Sequence, residues 1–172
     1  ANKVRTAGKR FHYEGEPDRV TQLFGQKYFP PKSAKAITIT EGNDDAIAAF
    51  EMMGSRYPVV AIQSAATAAS ECRKQFEYLN SFETIVIAFD NDQPGREAAK
   101  KVAALPFPLG KIKILTLKEY KDANDYKING KGELFTKEWW QAPIHTPDGL
   151  KIGKDMWDEV INRPNHFQVP YP

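Results

Sequence analysis

Between residues 36 and 127 the chain alternates short apolar runs with helical patterns four times, and no other feature limits its fold so strongly. Residues 36–40 (Ala-Ile-Thr-Ile-Thr) are β-branched and stop at Glu41-Gly42. Asn43 is suited to cap a helix in which Ala46, Ile47, Phe50 and Met53 recur at helical spacing, and Gly54 stands where that helix should end. Residues 59–62 read as a second strand. Ala69, Cys72, Phe76 and Leu79 mark one face of a second helix. Residues 85–89 are apolar without a break, as in a strand covered on both faces. Pro94 fits a first helical turn, Ala98, Ala99 and Val102 carry the apolar face, and Pro106 and Pro108 forbid continuation. Residues 112–117 read as a fourth strand, with Ile112 and Ile114 alternating against Lys113, Leu115 and Leu117. Such alternation predicts an α/β fold: a four-stranded parallel sheet flanked by helices on both faces.

In open α/β sheets, ligands bind beyond the carboxyl ends of the strands. Here those ends carry acids. The first strand leads into Glu41, the third into Asp90 and Asp92, and the fourth into Lys121-Asp122 within a few residues. The second leads into Gln63-Ser64, polar but uncharged. Crowded carboxylates repel one another and raise each other's pKa, a penalty that a divalent cation removes. Oxygen ligands without His or Cys favour Mg²⁺ or Mn²⁺ over zinc. Each acid also has a plainer reading: Asp92 before Pro94 as a helix cap, Asp122 as a turn residue, Glu41 as a solvated loop end.

Charge is segregated. The net charge of the 172 residues is only +2, yet residues 1–40 hold eight Lys or Arg against three acids. Lys3, Arg5, Lys9, Arg10 and Phe11 surround a turn expected at Ala7-Gly8. Two short strands joined there would offer a basic, aromatic edge to nucleic acid, or simply a solvated hairpin. The single cysteine, Cys72, excludes an internal disulfide and a Cys-x-x-Cys zinc ribbon within these residues, and its apolar helix face makes it a core residue. His12, His145 and His166 lie apart without metal-ligand spacing. No apolar run approaches the 20 or so residues that cross a membrane, and a cytoplasmic protein is expected. Residues 133–141 read as a helix bearing Trp139 and Trp140. Met156, Trp157, Val160 and Ile161 would form the apolar face of another, and Pro164, Pro170 and Pro172 read as linker.

Glu41-Gly42-Asn43-Asp44-Asp45, followed about fifty residues later by Asp90-Asn91-Asp92, resembles the two-part signature of Toprim domains. The stretch Phe89-Asp90-Asn91-Asp92-Gln93-Pro94-Gly95-Arg96 and the later Lys121-Asp122-Ala123-Asn124 narrow the resemblance to phage-type primases fused to ring helicases. Tyr57-Pro58-Val59-Val60, Pro147-Asp148-Gly149, and Lys3-Val4-Arg5 with Lys9 fit the same group.

The resemblance implies a Rossmann-like Toprim subdomain at 36–127. Residues 1–35 would be a basic β arm remaining from a primase N-terminal subdomain. Residues 128–172 would be a helical and irregular extension toward a helicase domain. It implies Mg²⁺ or Mn²⁺ held by Glu41, Asp90, Asp92 and Asp122, with Glu41, Asp90 and Asp92 catalytic. Lys3, Arg5, Lys9, Arg96 and Lys121 would meet nucleotide phosphates or template; for Arg96, a salt bridge on its own helix is an equal reading. Gly42, Asp45, Gly95 and Asn124 would shape the site, the glycines by permitting close backbone approach or a helix-opening turn, Asp45 by bonding nearby loop groups. The loop 63–67 lacks the glycine that the family pattern leads one to expect.

The implied activity is template-directed RNA primer synthesis from NTPs on single-stranded DNA, in the host cytoplasm if phage-encoded. The helicase domain of the same polypeptide and its ring neighbours would be partners. With no zinc template reader, these residues alone are expected to make little primer. A Toprim nuclease and a non-catalytic single-stranded-DNA scaffold are the competing readings.

Overall fold

In the computed structural model, the described residues are 2–6, 10–14, 22–147, 157 and 161. Strands β1 (Asn2–Thr6) and β2 (Arg10–Glu14) form an antiparallel pair in which Lys3 stands opposite Tyr13 and Arg5 opposite Phe11. The hairpin expected of the basic arm is therefore present in its backbone. Its turn, with Lys9, lies outside the described residues, as do Met156 and Val160. Trp157 and Ile161 are helical and exposed.

The remainder is built on a sheet of order β4-β3-β5-β6, all parallel. Its strands are β3 (Ala36–Thr40), β4 (Val59–Ala61), β5 (Thr84–Ala88) and β6 (Ile112–Ile114). All five residues of β3 are buried, because β3 is central and covered on both faces. The pleat sends Ile37, Ile39, Ile85 and Ile87 to one face, where they meet α2 (Ala68–Lys74), α3 (Phe76–Asn80) and α4 (Gln93–Ala103). Ala36, Val86, Ala88, Leu115 and Leu117 pack on the other face with α1 (Asn43–Met52), α5 (Ala123–Ile128) and α6 (Gly132–Gln141). Thr38 and Thr40 are the polar residues that β3 gives to that face, and the Thr40 hydroxyl donates to Gly42 O at 3.0 Å. Thr38 Oγ1 accepts the indole N–H of Trp139 at 2.9 Å, so neither buried group of that pair is left unsatisfied.

Both outer edges of the sheet are closed. Phe24 exchanges two backbone hydrogen bonds with Ala61 of β4 (3.0 and 3.2 Å). Across the sheet, the 143–145 segment lies against β6, with Ile114 N donating to Pro143 O and His145 N to Ile112 O.

Three local expectations are corrected. Asn43 does not cap α1; it is the first helical residue, and extended Gly42 occupies the cap position without a side-chain bond. The second helix is two helices interrupted at Gln75, and Ala68 rather than Ala69 is its fully buried first residue. The fourth strand ends at Ile114, although Leu115 N still donates to Ile87 O at 2.9 Å. Beyond it the chain turns to bring 117–122 against the loop that follows β5.

Candidate active site

The strand order reverses between β3 and β5: the chain leaves β3 for β4 on one side and returns to β5 on the other. Loops leaving such a pair diverge and open a crevice at their carboxyl ends. Thr40 and Ala88 are register partners at those ends. Glu41 and Asp90 therefore leave neighbouring strands at the reversal point.

Glu41 Oε2 is buried and, among the described residues, has no hydrogen-bond partner. The backbone N–H of Ala65, in the loop after β4, bonds the carboxylate. That loop is held from below by Glu71 of α2, which accepts from Gln63 N (3.0 Å) and from the Thr67 hydroxyl. Burial, then the charges of Asp90 and Asp92, push the Glu41 carboxyl above its ordinary range. An all-oxygen donor set with an orphaned buried carboxylate oxygen is the chemistry that a hard divalent cation satisfies.

Asp92 caps α4, its Oδ1 accepting from Gly95 N at 2.9 Å, and Asp122 caps α5, its Oδ1 accepting from Asp125 N at 2.8 Å. Asp92 thus fills the cap role read for it, and Asp122, read as a turn residue, is a helix cap as well. Lys121 Nζ lies 2.9 Å from Asp90 Oδ2 and 3.1 Å from Asp92 Oδ2. These bonds raise the Lys121 ammonium well above its usual range. The Gly95 N–H first, and Lys121 with it, hold Asp92 below the ordinary carboxylate range. Asp90, more buried, stays above it despite the lysine. Among the described residues, no three acidic, His or Cys side chains group at metal-ligating range in this lysine-bridged arrangement.

Asp45, one turn into α1, accepts from Asn124 N at 3.0 Å and hydrogen-bonds the Asp122 side chain. Burial and the negative charge of Asp122 push its carboxyl up to about 7. The expectation that Asp45 bonds loop groups agrees with this geometry. Gly42 and Gly95 serve the chain itself. A Cβ at Gly42 would stand 2.4 Å from Asp45 Oδ2, and one at Gly95 would stand 2.2 Å from the Asp90 carbonyl oxygen. Arg96 Nη1 donates to Asn91 O (3.0 Å) and Asn91 Oδ1 (2.9 Å) and not to a carboxylate of its own helix.

Asn91 is a site residue that sequence reasoning passed over. Its N–H donates to Lys121 O at 2.7 Å and its Nδ2 to Leu117 O at 2.6 Å, joining the loops after β5 and β6. The second loop is also clamped from inside the molecule. The hydroxyl of fully buried Tyr126 accepts from Lys118 N and Glu119 N, both at 3.0 Å, and donates to buried Glu138 at 2.8 Å. The Asn between the two acids of Asp-x-Asp was the one available signal. Beside this joint, a cavity of about 150 Å³ opens between α4 and the end of β6, lined by Phe89, Arg96, Ala99, Lys100, Ile114 and Leu117 among others. Of the basic arm, Lys3 and Arg5 are placed only as backbone positions on β1.

A family model described as Toprim-like matches residues 38–127. A DNA helicase/primase of Enterobacteria phage T3 is 33% identical over 161 residues, 93% of this chain and 28% of that protein. The chain thus spans little more than a quarter of that relative's length. The crystal structure of the primase fragment of the bacteriophage T7 primase-helicase superposes with a TM-score of 0.71 at 33% identity, over 80% of this chain and 55% of that one. A chain in the bacteriophage T7 assembly of lagging-strand DNA polymerase interacting with primase domains of two subunits, bound to an RNA/DNA hybrid and dTTP, gives a TM-score of 0.73 at 32% identity. That match covers 83% of this chain and 71% of the other.

Proposed function

This chain belongs to the Toprim-like family and is related to the primase domains of the T3 and T7 phage primase-helicases, and on that premise we propose that it carries the catalytic acids of a DNA primase. The reaction is template-directed ribonucleotidyl transfer, in which a 3′-hydroxyl attacks the α-phosphate of an NTP and pyrophosphate leaves. In this reading residues 36–127 are the catalytic subdomain, 1–35 a basic arm toward template and nucleotide, and 128–172 the connection toward a ring helicase.

One observation carries the reading. The buried, partnerless Oε2 of Glu41 stands at the strand-order reversal, next to the paired acids Asp90 and Asp92. Glu41, Asp90, Asp92 and Asp122 would hold Mg²⁺ or Mn²⁺. Bound there, the cation supplies charge neutralisation for the phosphates and acidifies the attacking hydroxyl. Glu41 would either ligate the cation or, where it does not, accept that hydroxyl's proton. Asp92 would offer Oδ2 first, because Oδ1 already accepts from Gly95 N. Lys121 offers three donors to a phosphate at the mouth of the site. Lys3, Arg5 and Lys9 would add salt-dependent backbone contacts on the arm side.

The test uses the chain with a fluorescent ATP analogue, and with labelled NTPs on an RNA-primed single-stranded DNA template. Mg²⁺-dependent nucleotide binding that is lost in Asp90→Asn, together with ribonucleotide incorporation that is lost in Glu41→Gln, supports the proposal. Mg²⁺-dependent plasmid nicking without incorporation would make the chain a nuclease. DNA binding that survives loss of the acids, with no nucleotide bound, would make it a scaffold.

A further inference from the structure

Lys121 occupies a built position rather than a chance one. Its carbonyl is fixed by Asn91 N–H at 2.7 Å, and Asn91 is itself gripped by Arg96. Its loop is tied again through Leu117 O and, further back, through Tyr126. From that anchor the ammonium bridges the Oδ2 atoms of both Asp90 and Asp92. The side chain is 52% exposed whereas that of Asp90 is 17% exposed, so the lysine lies over the acids from the solvent side. It can leave without disturbing the core.

The oxygens that it holds are the ones a cation would need. Asp92 Oδ1 already accepts from the first turn of α4, which makes Oδ2 its less encumbered oxygen. Lysine and metal are therefore alternatives at Asp92 Oδ2. Glu41, Asp90, Asp92 and Asp122 outnumber the one ammonium, and this excess of negative charge favours exchange for a divalent ion.

Resting on the reading that these acids bind a divalent cation, we propose that Lys121 is an exchangeable internal counter-ion. It neutralises Asp90 and Asp92 while no divalent cation is bound, and it is displaced when one arrives. Its freed ammonium then meets the triphosphate of the incoming nucleotide. Metal loading and nucleotide capture are thereby coupled through one side chain: the cation that the phosphates require is also the signal that releases a second phosphate ligand.

The experiment compares the chain with its Lys121→Met variant, which keeps most of the side-chain length without the charge. Mn²⁺ affinity is read by calorimetry, and affinity for a fluorescent ATP analogue at saturating Mg²⁺ by titration. The variant should bind Mn²⁺ about tenfold more tightly, its competitor gone, and the nucleotide about tenfold more weakly. A merely structural lysine would not move the two in opposite directions. In the wild-type protein, the Lys121 Cε resonance, identified by its loss in the variant, should shift on Mg²⁺ addition. If wild-type protein binds Mn²⁺ and Lys121→Met binds it no more tightly, or if the resonance stays put while metal binds, the exchange is wrong and the metal site stands. If wild-type protein binds no Mn²⁺ at millimolar concentration, the metal reading and the exchange fall together.

Discussion

The backbone N–H of Asn91 donates to the carbonyl of Lys121 at 2.7 Å, so two loops from adjacent strands are fastened at the point where their charged side chains meet. The Asn91 carboxamide adds a bond to Leu117 O, and Arg96 steadies it from α4. In Asn91→Ala the main-chain bond survives, but Leu117 O and Arg96 each lose a partner. Urea unfolding should report a loss of about 1–2 kcal/mol. Divalent-cation affinity should fall by more than tenfold, because the loop that carries Asp122 is no longer fastened beside Asp90, and this outweighs any gain from a loosened Lys121. Unchanged metal affinity in a destabilised Asn91→Ala would show that the joint only supports the fold.

Tyr126 is the inner half of the same support. Without its hydroxyl, two backbone N–H groups and a buried Glu138 oxygen lose their partner together. Tyr126→Phe should cost about 3 kcal/mol, well above an ordinary hydrogen-bond deletion. A chemical-denaturation loss under about 1 kcal/mol would mean that those groups find other partners.

The two site glycines separate by what a methyl group would strike. At Gly95 the obstacle is the backbone carbonyl of Asp90, which cannot swing away, so Gly95→Ala should cost about 3 kcal/mol or abolish folding. At Gly42 the obstacle is the Asp45 carboxylate, which can rotate. Gly42→Ala should cost nearer 1 kcal/mol, with the penalty falling on the Asp45 link to Asn124. Circular-dichroism melts of both variants decide this; equal losses would contradict it.

Asp45 makes stability depend on pH. Its folded carboxyl titrates near 7 against an ordinary 3.8, so the folded state holds this proton more tightly than the unfolded state. The contribution is whole below about pH 4 and is lost as pH rises through 7. In EDTA, Asp45→Asn, which stays neutral, should match wild type near pH 4.5 and exceed it by about 1–2 kcal/mol at pH 8. Parallel stability profiles for the two proteins would remove Asp45 as the cause.

Some of this was readable in the sequence and some was not, for physical reasons. The strands were legible because burial on both faces demands unbroken apolar runs such as 85–89, and the acids because they fall directly after those runs. The break at Gln75 was not: Ala69, Cys72, Phe76 and Leu79 keep helical spacing straight across it. Asp92 was legible as a cap or a ligand and Asp122 as a turn residue or a ligand, but only coordinates show both capping helices through one oxygen while their side chains also meet Lys121 and Asp45. Asn91 was hidden because a loop-to-loop bond spanning 26 residues has no periodicity to betray it. The bonds of Arg96 to an amide oxygen and a carbonyl oxygen were not legible either, because neither acceptor leaves a charge pattern.

Phe24 closes the β4 edge and the 143–145 segment closes the β6 edge, at opposite ends of the sheet order. The polypeptide therefore comes in at one border of the sheet and goes out at the other. Tension applied between those two points would be carried sideways across the β4-β3-β5-β6 ladder before it reached any helix. Glu41, Asp90 and Asp92 follow the two middle strands, which are joined by the five-residue register of β3 and β5, the longest in that ladder. Pulling the two borders apart would have to break the parallel ladder strand from strand, and the β3-β5 pair that spaces the acid loops has the most register to lose.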